Sequence, residues 1–163
     1  MSEKTPLSIR QFEAACRQAG LKVTHQRLEI YRELASATDH PSAETLHSRL
    51  ISKMPTLSLD TVYRTLSIFC EKGLVHKVET VESHARYEVV HARHHHLICS
   101  RCRKITDFQW PSMDEALLPD EFSGWGKIDS RSVVVYGICA KCLQQMEKKS
   151  ETSPGTRDPS GSG

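Results

Sequence analysis

Residues 91–108 read H-A-R-H-H-H-L-I-C-S-R-C-R-K-I-T-D-F, placing four His, two Cys and one Asp between short apolar stretches. A second cysteine pair follows at Cys139 and Cys142. Thiolate and imidazole ligate borderline metals, and carboxylate suits harder ones, so two metal sites of different character are expected. Cys99, Cys102, Cys139 and Cys142 form two C-x2-C pairs. Two residues between thiolates let a tight turn aim both sulfurs at one ion, and two such turns complete a tetrahedral zinc site. A closed four-coordinate site of this kind is structural. The 36 residues between Cys102 and Cys139 exceed the usual ribbon interval, so a small sheet and helix must lie between the halves. The competing reading is two reducible pairs without metal.

His94 and His96 are two apart on an expected strand, so their side chains share a face. Asp107 lies on the expected return strand and can meet them. This gives a nitrogen and oxygen site distinct from the zinc. His95 points to the opposite face and His91 falls in a connector, so both are weaker candidates. Cys16 and Cys70 fall on helical apolar faces and read as core residues.

The elements that must position these groups are legible from periodicity. Residues 9–19 carry Ile9, Phe12, Ala15, Cys16 and Ala19 at helical spacing, with Gly20 as the stop. Thr24 caps a second helix with Leu28, Tyr31, Leu34 and Ala35 inward, broken at residues 39–41. Ser42 caps a third, with Ala43, Leu46 and Leu50 inward, ending at Met54-Pro55. Ser58 caps a fourth running to residue 72, and Gly73 stops it. Its buried stripe is Leu59, Val62, Leu66 and Phe69. Thr61, Arg64, Thr65 and Ser67 lie towards the other side, with Tyr63 at the border.

Two alternating stretches, 74–81 and 85–90, read as a hairpin. Helices followed by a hairpin suggest a winged helix-turn-helix, whose last helix enters the DNA major groove. An ordinary amphipathic core helix would show the same stripe. The short, hydroxyl-rich outer side with one Arg favours base and phosphate contact, with Thr61, Tyr63 and Arg64 as the DNA-binding residues.

Residues 89–93 form a connector, 94–99 a strand, 99–102 a tight turn and 104–108 the return strand. Pro111 opens a short helix ending near Pro119. Residues 124–127 and 132–138 read as further strands and 139–149 as a final helix. The stretch 150–163 is rich in Ser, Gly, Pro and charge, and a disordered tail is expected there. The fold class is therefore α+β. A winged-helix DNA-binding domain is expected over residues 1–90, and a small α/β domain with a four-cysteine zinc site over 91–149.

The chain has 163 residues, 38% of them apolar, enough for small cores that a metal or dimerisation would support. The charge is balanced at 22 basic and 20 acidic residues, net +2, which leaves a local DNA-binding patch open. No run of about 18 apolar residues exists, so no membrane span is expected. Residues 1–7 lack an apolar leader core, and a cytoplasmic location is expected.

Five ordered motifs carry a family resemblance: V-T-H-Q-R at 23–27, D-H-P-S-A-E at 39–44, S-L-D-T-V-Y-R-T-L at 58–66, H-H-H-L-I-C-S-R-C at 94–102 and Y-G-I-C-A-K-C at 136–142. Together they resemble the Fur (ferric uptake regulator) superfamily, over residues 9–146. The resemblance implies a dimeric bacterial transcription regulator that binds double-stranded operator DNA, with residues 91–149 as its metal-sensing dimerisation domain. It also implies a regulatory site joining the two domains, on His40, Glu88, His94, His96 and Asp107, and taking iron or manganese. Asp107 resembles the peroxide-sensing branch, in which iron-catalysed oxidation of a ligand histidine releases DNA. Glu88 resembles the iron-uptake branch, which is the alternative reading. A further metal site of iron-uptake regulators is replaced here by Arg93, His95 and Arg131, and arginine cannot ligate a cation. All four C-terminal cysteines are committed to the zinc turns, which sets the zinc-uptake branch lower. A metallohydrolase built on the N/O cluster is the reading from a different class, but no H-E-x-x-H or comparable motif supplies an adjacent base. The chain is not expected to be an enzyme.

Overall fold

The computed structural model of the chain describes residues 8–78, 80, 84–89, 94–128 and 131–151. Four helices come first: α1 (Ile9–Gln18), α2 (His25–Ser36), α3 (Ala43–Leu50) and α4 (Leu59–Glu71). Each begins on a hydroxyl. Ser8, Thr24, Ser42 and Ser58 accept the backbone N–H three residues on, pairing a donor that the helix itself leaves unmatched. α4 ends where Gly73 turns left-handed (φ 66°) and the Leu74 N–H returns to the Phe69 carbonyl.

Strands β1 (Val75–Val78) and β2 (Arg86–Val89) pair antiparallel, with His76 opposite Glu88. The four helices and this hairpin enclose one core. Phe12 stacks on Tyr31 and meets Phe69 edge-on, with Leu46, Val62 and Leu66 fully buried around them. The N-terminal part is thus a winged helix-turn-helix, with β1 and β2 as the wing. Cys16 is buried in this core and Cys70 packs against it half-buried, and burial pushes both thiols up from their ordinary range.

The second part is built on β3 (His95–Cys99), β4 (Ile105–Phe108) and β5 (Val134–Gly137) in the order β4-β3-β5. β4 is antiparallel to β3 and β5 is parallel to it. Helix α5 (Pro111–Glu115) and a 3-10 turn (Asp120–Phe122) connect β4 to β5, and α6 (Ala140–Glu151) follows. The core here is small. Ile98, Ile105 and the half-buried Val134 are joined by Val78 from the wing. Among the described residues no helix is long and apolar enough to cross a membrane.

Several local expectations need correction. Thr65 of α4 is buried, not outward, because it sits one position before Leu66 on the edge of the apolar stripe. Leu59 is only half-buried, and on α2 Ile30 is fully buried beside Tyr31 and Leu34. Val89 belongs to β2 and not to the connector, whose remaining residues 90–93, His91 and Arg93 among them, lie outside the described residues. The helix opened by Pro111 ends at Glu115, where Ala116 turns extended ahead of Leu118-Pro119. Residues 124–127 form no strand, since Gly126 has φ 109°, outside the extended region. The final helix continues to Glu151, and the tail 152–163 lies outside the described residues.

Candidate metal centres and DNA-facing helix

The four cysteines converge. Cys99 ends β3, Cys102 closes the turn after it, and Cys139 and Cys142 sit at the start of α6. The turns are tied to each other by the Ser100 N–H to the Gly137 carbonyl (2.7 Å) and by Arg101 Nη1 to the Cys142 carbonyl (3.2 Å). The N–H groups of Cys102 and Cys139 both donate to Cys99 Sγ, at 3.5 and 3.4 Å. These donors hold the Cys99 thiol down at about 5. Burial, then the neighbouring thiols, push Cys142 up to about 12. Cys102 Sγ and Cys139 Sγ lie 3.7 Å apart. Zinc–sulfur bonds of about 2.3 Å at the tetrahedral angle set sulfurs about 3.8 Å apart, so this donor set fits zinc.

The second cluster joins His40, Glu88, His94, His96 and Asp107, with one ligand atom of each within 4.8 Å of all the others. Glu88 Oε2 is its hub, 2.9 Å from His40 Nε2, 3.0 Å from His94 Nε2 and 3.5 Å from His96 Nε2. Asp107 Oδ1 lies 2.9 Å from His40 Nε2 and 3.7 Å from His96 Nε2. Burial by itself would raise the Glu88 carboxyl. Hydrogen bonds from His40, then His94 and His96, outweigh that and hold it well below the usual carboxylate range. Metal bonds of about 2.1 Å set neighbouring ligands about 3 Å apart and opposite ones about 4.2 Å apart. The distances given, 2.9 to 3.7 Å, fall in that window, and a largely buried set with two carboxylates and three imidazoles fits a divalent cation taking mixed N/O ligands.

Each element delivers its ligand for a local reason. His96 and Asp107 are directly paired across the β3–β4 ladder. His40 sits in the loop before α3 with a left-handed backbone (φ 48°), which costs a non-glycine residue about 1–3 kcal/mol. Two contacts hold that loop. Arg49 of α3 grips Asp39 bidentately, at 3.2 and 2.6 Å, and the Tyr87 N–H beside Glu88 donates to the Pro41 carbonyl at 3.1 Å. The Arg49 guanidinium holds the Asp39 carboxyl below its ordinary value. Asp39 belongs to the D-H-P-S-A-E motif, but its partner Arg49 is ten residues on, and no local pattern pointed to the pair.

His95 stays out of this cluster. It is fully buried on the other face of β3 against Phe108 and Trp110, and its Nδ1 accepts from the Val133 N–H at 3.1 Å. Arg131 donates to the carbonyls of Ala116 and Asp114 at 2.5 and 2.8 Å, holding the end of α5. These residues serve packing and loop anchoring.

On α4, the Tyr63 ring is exposed and its hydroxyl donates to Glu44 Oε1 of α3. Arg64 is exposed and pairs with Asp60 at 3.0 Å. Thr61 is half-buried, its hydroxyl 2.8 Å from that of the capping Ser58. Arg64 faces outward as its spacing predicts, Tyr63 at the border of the stripe is exposed, and Thr61 near the helix start is held by the capping Ser58.

The model of the Ferric uptake regulator family matches residues 18–121. The chain is 32% identical over 132 residues to the peroxide-responsive repressor PerR of Staphylococcus epidermidis, covering 81% of this chain and 88% of that protein. It is 34% identical over 130 residues to the peroxide operon regulator of Bacillus subtilis, covering 79% of this chain and 89% of that protein. Among solved structures it is similar to the ferric uptake regulator from Pseudomonas aeruginosa with manganese, at 29% identity and a TM-score of 0.65, covering 78% of this chain and 97% of that one.

Proposed function

The chain belongs to the ferric uptake regulator family of metal-dependent transcription regulators, and we propose that it represses transcription as a cytoplasmic homodimer on operator DNA and senses peroxide through iron-catalysed oxidation of a ligand histidine. The observation that carries this reading is the five-residue cluster spanning both halves of the chain. His40 and Glu88 lie in the winged helix-turn-helix, and His94, His96 and Asp107 lie in or beside the β3–β4 ladder. A divalent ion gripped by all five fixes one half against the other. In a dimer that sets the spacing of the two α4 helices, which must match half-sites on the duplex.

In this reading residues 1–90 bind DNA, residues 91–149 sense metal and dimerise, and zinc on the four cysteines is structural. Iron or manganese occupies the N/O cluster. Iron, when bound, supplies the chemistry that reduces peroxide beside the imidazoles. The chain's part is to hold three histidines around that position and to let one of them, His40, tether the DNA-binding half. An iron-responsive uptake regulator is the second reading. Glu88 favours it, being the position at which this chain resembles the iron-uptake branch.

Selection of duplexes from a randomised DNA library with manganese-loaded protein tests the DNA-binding assignment. Enrichment of sites with two-fold symmetry is expected, and no enrichment over bare competition would contradict it. Arg64→Ala should weaken binding to the selected duplex by about 1–3 kcal/mol, concentrated at one base pair, without changing metal content. An unchanged affinity would remove Arg64 from the interface.

The loop clamp gives another expectation. Arg49→Ala should lower manganese affinity about 10–100-fold, as loss of an outer partner does, because His40 is no longer held in its left-handed conformation. Competition against a chelator measures this, with the zinc content as the control. Unchanged manganese affinity would show that the Pro41–Tyr87 bond alone suffices.

A further inference from the structure

We infer that Glu44 sets the base preference of the recognition helix: by taking the one Tyr63 hydroxyl proton, it leaves the phenol oxygen as an acceptor fitted to the amino group of adenine or cytosine. This rests on the reading that α4 enters the major groove. A phenol has one O–H to donate and lone pairs to accept with. Here the O–H is directed to Glu44 Oε1. The carboxyl is held at about 2, first by that hydrogen bond and then by its own backbone and the Ser42 hydroxyl. At neutral pH it is therefore a carboxylate, which can only accept, so the proton has no alternative direction. The same contact raises the Tyr63 phenol, which stays protonated.

Geometry fixes the acid as well. Glu44 lies in the first turn of α3, and its Oε1 is 3.5 Å from His84 Nδ1 at the wing. Three segments of the DNA-facing surface, α3, α4 and the wing, thus meet at one carboxylate. The Tyr63 ring remains exposed, so its oxygen lone pairs are available to a partner.

The consequence follows from the groove code. In the major groove adenine N6 and cytosine N4 donate, whereas thymine O4 and guanine O6 and N7 accept. Phosphate oxygens accept too. An acceptor-only phenol beside a carboxylate meets the first pair favourably and opposes the others. Tyr63 is then a base reader and not a backbone anchor. One neutral hydrogen bond made or opposed supports a preference of about 5–10-fold.

The test is base-frequency profiling of randomised duplexes selected with the full-length, manganese-loaded wild type and with Tyr63→Phe, Glu44→Ala and Glu44→Gln, each checked for folding by thermal melting. The wild type is expected to prefer adenine or cytosine about 5–10-fold at a position whose preference disappears in Tyr63→Phe. Glu44→Ala frees the hydroxyl to rotate and donate, so the preference there should fall below about 2-fold while other positions keep theirs. Glu44→Gln keeps an acceptor but adds an amide donor that the phenol oxygen can receive, so it should restore the preference only in part. A merely structural Glu44 would weaken all positions together. Selective binding with an unchanged profile in Glu44→Ala overturns the inference alone. A wild-type preference for guanine or thymine at the Tyr63-dependent position also overturns it, whether or not the alanine variant folds. Absence of any selected duplex with the wild type would overturn it together with the DNA-binding reading.

Discussion

Cys99→Ser protein is expected to lose its zinc and with it the folded C-terminal half. The core of that half holds Ile98, Ile105 and Val134, plus one residue borrowed from the wing, Val78. So few buried side chains cannot offset the entropy of ordering β3 to α6. A structural zinc site contributes on the order of 10–16 kcal/mol, as large as the whole stability of an ordinary domain. Cys99 is also the sulfur that receives the N–H groups of both cysteine turns, so its loss loosens the other three ligands. Purified wild type should carry one tightly held zinc per chain. The variant should show reduced secondary structure by circular dichroism and a monomeric mass by sedimentation. A folded, dimeric, zinc-free Cys99→Ser protein would contradict the structural assignment.

The second large effect concerns peroxide. Iron-loaded protein treated with micromolar peroxide should gain one oxygen on the peptide carrying His40 or His94 and lose its DNA binding. Manganese-loaded protein should do neither. Each of the five residues offers one ligand atom, so an ion accepting six ligands would keep one position for peroxide. The His94 side chain is the most exposed of the three imidazoles, at 11%, and so the nearest to arriving peroxide. His40 is nearly inaccessible, but it is the imidazole that connects the cluster to the loop before α3. Damage at either residue removes a tie between the halves, His94 to Glu88 or His40 to Asp107. Peptide mass spectrometry on parallel iron and manganese samples decides the matter. Unmodified histidines and retained DNA binding in the iron sample would favour the iron-uptake reading.

What the sequence made legible divides by range of interaction. The cysteine turns were readable because a C-x2-C pair is a local device, and the only distant fact needed was that two pairs share one ion. His94, His96 and Asp107 were readable because strand alternation and a short hairpin fix who faces whom. His40 and Glu88 were reached only through the family resemblance. They are 48 residues apart in the chain, and the left-handed turn at His40 that brings them together has no periodic signal. The same limit hid the Asp39–Arg49 clamp and the Tyr63–Glu44 contact, since each is an ion pair or hydrogen bond between different elements. The hydroxyl of Thr65 suggests an outward position, whereas its place on α4 sets it beside Leu66 and Phe69. Residues 124–127 looked like a strand by composition, but the backbone at Gly126 does not allow one.

The most direct test of the metal latch is the affinity for a selected duplex as a function of free manganese, in the wild type and in Glu88→Ala, with zinc content held equal. Glu88 is the hub of the five-residue cluster and touches no cysteine of the other site. Manganese should tighten wild-type binding by about 5–150-fold, and DNA should raise manganese affinity by the same factor, since the coupling is reciprocal. Glu88→Ala should keep its zinc and show no response to manganese. Equal wild-type affinity with and without manganese, or an undiminished response in Glu88→Ala, would contradict the account.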